Sequence, residues 1–300
     1  MTESNATVAH SSPALSSSKN SWRAILPWAI WAFALTAVAF ARTIWGIVGS
    51  WFDDTTQMGH GIFVPLAAAY MVWVKRAVLK GMTPAPTAWG LVLVAWGVSQ
   101  SLFGTVAQWV WISRTGFLIA VIGCLLTLYG YRVILALAYP IATLFLMIAP
   151  PTFVFERITL PLQLLASRLG EVALQVLGYS VLREGNVLQL VGERLAVEEA
   201  CSGIRSLIAL LFLVVVYGFF FVPRISFRLI LLASVVPIAI LCNAGRIVAT
   251  GVVGQYNREL AHGMLHEAFG HFGLILGAVS CLMLHSLLTR IGGASGVRHV

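Results

Sequence analysis

The chain has 300 residues, of which 59% are hydrophobic and only 10% charged, and it carries a formal net charge of +8. Soluble domains average about a quarter charged residues, so this composition, with a mean hydropathy of +0.90, excludes an ordinary soluble enzyme and indicates a polytopic membrane protein. The basic residues are scattered singly along the chain, which argues against a nucleic-acid-binding surface and makes them a topology signal instead.

Residues 1 to 20, rich in Ser, Ala and Asn, read as a disordered tail, and residues 1–22 are expected to stay in the cytoplasm. The first apolar run contains Ala39-Phe40-Ala41, the small-residue pattern of a signal-peptide cleavage site. That run exceeds the about 7 to 15 residues of a signal h-region, so a retained helix is expected. A spanning helix needs about 20 apolar residues. Scanning on that basis gives eight candidates: 25–50, 60–78, 87–104, 107–129, 132–150, 203–222, 227–249 and 264–289. The second and third are short, and Pro65 is placed to kink the second. The expected fold is an all-α polytopic membrane protein of about eight transmembrane helices. Residues 23–150 would carry the first five, 203–290 the last three, and 291–300 a second cytoplasmic tail.

Between the fifth and sixth spans, 151–202 is too polar to cross a bilayer. Within it, 156–179 carries apolar positions at helical spacing interrupted by Arg157, Arg168 and Glu171, as in an amphipathic helix lying on the membrane. Pro161 is a candidate break. Next, Val187-Leu188-Gln189-Leu190-Val191 and Leu195-Ala196-Val197 flank Gly192-Glu193-Arg194, which reads as a short hairpin and its turn. The expectation is a small extracytoplasmic cap that delivers Cys201 to the head of the sixth span. A shapeless solvated loop is the alternative, and the apolar alternation argues against it.

With a cytoplasmic N-terminus, the inner side receives Lys19, Arg23, Lys75, Arg76, Lys80, Arg132, Arg224, Arg228, Arg290 and Arg298, set against the single acid Glu3. That asymmetry satisfies the positive-inside rule and returns the C-terminus to the cytoplasm. The sixth span then runs inward from Cys201, the seventh runs outward to Arg246, and the eighth starts inward near His266. Three chemically useful side chains from three successive spans share one depth, at the outer face.

Cys201, in Glu199-Ala200-Cys201-Ser202-Gly203, is the only one of four cysteines outside an apolar helix. A thiolate is the reactive form, and a helix N-terminus stabilises it through unpaired N–H groups and the helix dipole. Ser202 and Gly203 suit such a start, and Arg205 adds positive potential one turn on; Glu198 and Glu199 act the other way. Three readings stand for Cys201: activated nucleophile, disulfide partner (with Cys242 one turn below Arg246), or small buried residue. Arg246 lies inside an apolar helix, where a guanidinium is functional or paired unless it snorkels to the interface. It suits an oxyanion or a carboxylate, with Asn243 one turn earlier to orient it. Arg42 and Arg114 also fall within spans, as candidates for a substrate carboxylate or for pairing with Asp53, Asp54 or Glu267. His266 and His271 are five residues apart, about 500° of helical rotation, so they do not share a face and no metal site is expected. At its depth His266 suits a general acid or base.

Taken together, Glu199-Ala200-Cys201-Ser202-Gly203-Ile204-Arg205-Ser206, then Asn243-x-x-Arg246, then His266-x-x-x-Gly270 resemble the exosortase/archaeosortase family, and Gly59-His60-Gly61-Ile62-Phe63-Val64-Pro65 resembles an early block of that family. The resemblance implies a membrane-embedded cysteine protease or transpeptidase with Cys201 as nucleophile, Arg246 as transition-state stabiliser and His266 as proton carrier, supported by Asn243, Arg205, Ser202 and His60. It implies substrates anchored by a C-terminal signal of a Pro-Glu-Pro-like motif, a hydrophobic helix and a basic tail, with transfer to an unidentified acceptor. It also implies a bacterial inner-membrane location, an active site facing the periplasm, a link to exopolysaccharide production, and no cofactor. The competing readings are a transporter lined by Arg42, Arg114, Arg246 and His266, and an accessory subunit of exopolysaccharide export.

Overall fold

Apolar runs of helical length dominate the sequence, and the computed structural model folds them into helices with one small sheet. It describes residues 13–53, 56, 58–191, 193–196, 204–257 and 264–291; side chains are described from residue 23, except at 193, 196, 204 and 264–267. Two compact units emerge: Pro65–Ile148 with the chain up to Gly49, and Ser50–Val64 with the chain from Ala149 on.

In the first unit, α1 (Pro13–Ala39) and α2 (Ala41–Trp51) replace the single helix expected over 25–50, with a bend of 71° between them. Phe40 occupies the bend, buried, its ring 5.5 Å from that of Phe117. One turn earlier the Thr36 hydroxyl donates back to the Ala32 carbonyl at 2.7 Å, a bond that commonly bends helices. A short 3-10 turn (Gly59–Ile62), which belongs to the second unit, leads into α3 (Phe63–Val74), followed by α4 (Arg76–Gly81).

The tightest packing lies between α5 (Trp89–Val106) and α6 (Val110–Tyr129). Gly90, Gly97 and Gly104 recur at seven-residue spacing on α5, and Gly116 and Gly123 do so on α6. A Cβ on Gly97 would sit 2.5 Å from the Ala120 nitrogen and 2.6 Å from the Gly116 carbonyl oxygen, so the two backbones touch where side chains would otherwise hold them apart. Within a bilayer, where apolar burial drives no association, such close van der Waals contact is what pairs helices. Polar side chains bridge the same seam: Ser101 Oγ to Ser113 Oγ at 3.1 Å, and Gln100 Nε2 donating to Thr115 Oγ1 at 2.9 Å.

The fifth expected span, 132–150, is in pieces: α7 (Tyr131–Ala136), α8 (Ala138–Leu144) and a 3-10 turn (Phe145–Met147). Pro140 has no N–H to give the Ala136 carbonyl four residues back. Lys75 Nζ caps that carbonyl instead, at 2.6 Å. Arg114, expected to meet a carboxylate, donates to the Gly46 carbonyl at 2.8 Å. Arg42 is exposed.

In the second unit, α9 (Thr152–Val176) runs unbroken through Pro161, against the expected break. Its buried positions Thr159, Gln163, Ala166, Ser167, Gly170 and Leu174 form one stripe at helical spacing. A three-stranded antiparallel sheet follows: β1 (Val181–Glu184), β2 (Val187–Leu190) and β3 (Glu193–Ala196). The hairpin register differs from expectation, because Glu193 and Arg194 pair with Leu190 and Gln189 as strand residues rather than forming the turn. β1 is an additional strand, joined to β2 through Gly185-Asn186 with Gly185 at φ 64, a left-handed conformation that glycine adopts without strain. Leu188, Leu190 and Leu195 of the sheet bury against Ala166 and Leu174 of α9 and against Ile247.

Ile247 belongs to α11 (Ile225–Tyr256), which follows α10 (Ile204–Phe221) and precedes α12 (Met264–Ile291). A second core joins these three helices through Leu210 and Val214, Leu231 and Val235, and Cys281. Among the described residues, α5, α6, α11 and α12 are long and apolar enough to cross a membrane. Counting α1 with α2, and Ala138–Met147 with Thr152–Val176, as one span each raises the number to 6. Gly59–Val74 and Arg205–Phe221 are apolar but shorter. The protein is an all-α membrane protein in its spanning parts.

Candidate functional site

α11 has 32 residues, longer than the 227–249 expected from hydropathy. At about 1.5 Å per residue, Arg246 stands about 31 Å along the axis from Ile225. The hydrocarbon layer is about 30 Å thick, so a helix entering at Ile225 carries Arg246 to the opposite edge of it. After Arg246 the last turns of α11 pack on α9 and the sheet: Gly251 lies against Leu174 and Leu190. Tyr179, at the sheet's start, shares a hydrogen bond with Tyr256 that raises its pKa above the ordinary tyrosine value.

Arg246 is half-buried and faces α12. Its Nη1 lies 3.5 Å from where a Cβ on Gly270 would stand, and a Cβ on Gly273 would approach the Cys242 carbonyl oxygen at 3.9 Å. Those glycines strip the α12 wall of side chains beside the guanidinium. A cavity of about 390 Å³ opens there, lined by Ile238, Cys242 and Arg246 of α11 and by Phe269, Phe272 and Leu276 of α12, among others. Arg246 is its one charged lining residue among those described. His266 lies four residues before Gly270, so its backbone shares the helical face that meets Arg246, one turn away; its side chain lies outside the described residues.

Cys201 and Ser202 lie outside the described residues as well. What is described is the helix they lead into: α10 starts at Ile204, and Arg205 in its first turn is exposed. Cys242, weighed above as a disulfide partner, is a free thiol. His60 packs against Phe212 with ring centroids 5.9 Å apart, about 12 Å along α10 from its first residue. Gly61 beside it is buried under the Trp51 indole, which leaves no room for a Cβ.

Asn243 departs from its expected role. It is 5% exposed, and neither Nδ2 nor Oδ1 has a hydrogen-bond partner, so its carboxamide does not bond to the Arg246 guanidinium three residues on. Thr250, four residues beyond Arg246 and 2% exposed, has an unpartnered Oγ1 too. Leaving a buried polar group unpaired costs about 1–3 kcal/mol, so folded proteins retain few of them. Sequence reading found Asn243 and missed Thr250, whose seven-residue spacing from Asn243 was the available signal.

A family model described as transmembrane exosortase matches residues 51–285. The match begins at the end of α2, closes within the last two turns of α12, and takes in the sequence positions of His60, Cys201, Arg205, Asn243, Arg246 and His266. No curated protein and no solved structure matches the chain. With most of its length matched, and with helices long and apolar enough to cross a bilayer several times, this multi-pass membrane protein belongs to the transmembrane exosortase family.

Proposed function

We propose that the protein is a membrane cysteine protease or transpeptidase that cleaves a C-terminal sorting signal from exported proteins. The observation that carries this reading is the guanidinium of Arg246 inside a spanning helix, set against Gly270 one turn from His266, in a chain of the exosortase family. An arginine within a spanning helix is costly in a bilayer and is retained for function or pairing.

Chemistry would proceed in two halves. The Cys201 thiolate attacks the scissile carbonyl carbon, and the oxyanion so formed is held by Arg246. Collapse breaks the carbon–nitrogen bond, and protonated His266 gives its proton to the departing amine, leaving a thioester on Cys201. An acceptor bearing an amine or hydroxyl then attacks the thioester. It gives its proton to His266 and releases the thiolate; with water as acceptor the outcome is hydrolysis. The substrate's anchor helix lies against α11 and α12, and a Pro-Glu-Pro-like motif stands at the outer surface. On this reading α7 and α8 together make the fifth span and the two shorter apolar helices also cross, which makes eight spans without α9. Both termini are cytoplasmic, and the sheet with α9 forms a periplasmic cap over the inner membrane. Partners are the membrane-anchored substrates and an acceptor still to be identified.

Two experiments test the reading. In membranes of a His266→Ala variant, mass spectrometry is expected to find full-length substrate and an unmodified Cys201, because without the imidazole the departing amine is not protonated and the thioester does not form. Substrate processed at the normal rate would remove His266 from the mechanism. Arg246→Lys keeps the charge but loses the planar fork of donors, and is expected to lower the processing rate about 100-fold with little change in thermal stability. A rate within twofold of wild type would show that no oxyanion forms at the guanidinium.

A further inference from the structure

Between Pro237 and Gly254, α11 is apolar or small except for Cys242 and three polar side chains, Asn243, Arg246 and Thr250. Their i, i+3, i+7 spacing sets these three along one ridge of the helix. The two that flank Arg246 are the unpartnered ones. Thr250 is unusual for this protein: the hydroxyls of Thr36, Thr105, Thr115, Thr127, Thr143 and Thr159 all donate to the carbonyl four residues earlier. Thr250 Oγ1, buried in the same kind of helix, makes no such bond.

The cavity described above meets this ridge at Arg246, while Asn243 and Thr250 are not among its lining residues. Its α11 wall runs from Ile238 to Ala249, about 16 Å at the helical rise. A helical ligand lying across the rim would leave this space empty, and its backbone groups would already be satisfied internally. An extended peptide is slender enough to enter, and its N–H and C=O groups need partners in an apolar setting.

We propose that the Asn243–Arg246–Thr250 ridge binds the substrate backbone in an extended conformation beside the scissile bond. The Asn243 carboxamide both donates to and accepts from one peptide unit, and the Thr250 hydroxyl bonds another. From Asn243 to Thr250 is about 10 Å along the axis, the length of about three extended residues. Both side chains are covered in the free protein, so the peptide parts the packing around the ridge as it enters and unwinds from its anchor helix. The inference rests on the protease reading above and adds two positioning residues to it.

The test uses the full-length protein in membranes with a co-expressed reporter ending in a Pro-Glu-Pro-like motif, an apolar helix and a basic tail. Asn243→Leu and Thr250→Val remove the polar atoms at near-constant volume. Each is expected to slow reporter processing at least tenfold while its thermal midpoint stays at or above that of wild type, because an unpaired buried group has been removed; Thr250→Ser is expected to restore the rate. A lowered midpoint with activity falling in proportion would mark the pair as structural and overturn the proposal. Loss of a co-purifying phospholipid with processing intact would overturn it as well, and make the ridge a lipid site. If Cys201→Ala is inactive while both ridge variants run at the wild-type rate, the ridge inference alone fails. If Cys201→Ala processes the reporter normally, the protease reading fails and takes the ridge with it.

Discussion

Cys201→Ala is expected to leave the full-length substrate in the membrane with no detectable processed product. Removing a nucleophile closes the covalent route altogether, and in hydrolases built around one the loss is about 10⁴-fold or more. The change is small in volume and falls just before α10, so an intact fold is expected, with a thermal midpoint within a few degrees of wild type. Cys201→Ser sharpens the test. The hydroxyl is nearly isosteric, but a helix start that favours a thiolate does not ionise an alcohol. Its processing should be as low as that of the alanine variant. An immunoblot of a membrane-anchored reporter separates full-length from cleaved protein. Normal processing by either variant would leave Cys201 as a packing residue and shift the reading toward a non-enzymatic membrane component.

Gly97→Val is expected to be the most damaging substitution to the fold outside the site. The added Cβ would stand 2.5 Å from the Ala120 nitrogen, and Gly90, Gly104, Gly116 and Gly123 leave equally little room along the same seam. Backbone cannot yield as a flexible side chain does, so α5 and α6 must separate. That separation lengthens the bridges among Ser101, Ser113, Gln100 and Thr115 as well. The combined cost is about 3 kcal/mol or more, enough to unfold a marginal protein. Gly49→Ala makes the contrast, because nothing lies within 4 Å of its added carbon. Thermal unfolding in detergent should show a collapsed midpoint for Gly97→Val and a near-normal one for Gly49→Ala. Equal midpoints would mean that the glycine seam does not hold the pair together.

Much of the candidate site was legible because depth in a membrane is a one-dimensional property. Counting apolar residues from span to span is what sets Arg246 and His266 near one face as an expectation, whereas α11 itself continues past Arg246 to Tyr256. The orienting role expected of Asn243 was not legible: a helical i, i+3 spacing allows a bond to Arg246 without requiring one, and none forms. The ring contact of His60 with Phe212 was not legible either, because it joins two segments far apart in the chain.

By itself, the sequence determined the membrane-spanning class, the helical character of the chain and the residues that resemble a cysteine-dependent family, because hydropathy and short motifs depend only on neighbours along the chain. Tertiary structure alone decided the bend at Phe40, the break before α8 with Lys75 on the orphaned carbonyl, and the glycine seam of α5 and α6. It also decided which polar atoms of α11 go unpaired. Each of these depends on what stands opposite a residue in space, which a helix's own periodicity does not specify: the seven-residue glycine repeat marks a close face on α5 without naming α6 as its partner.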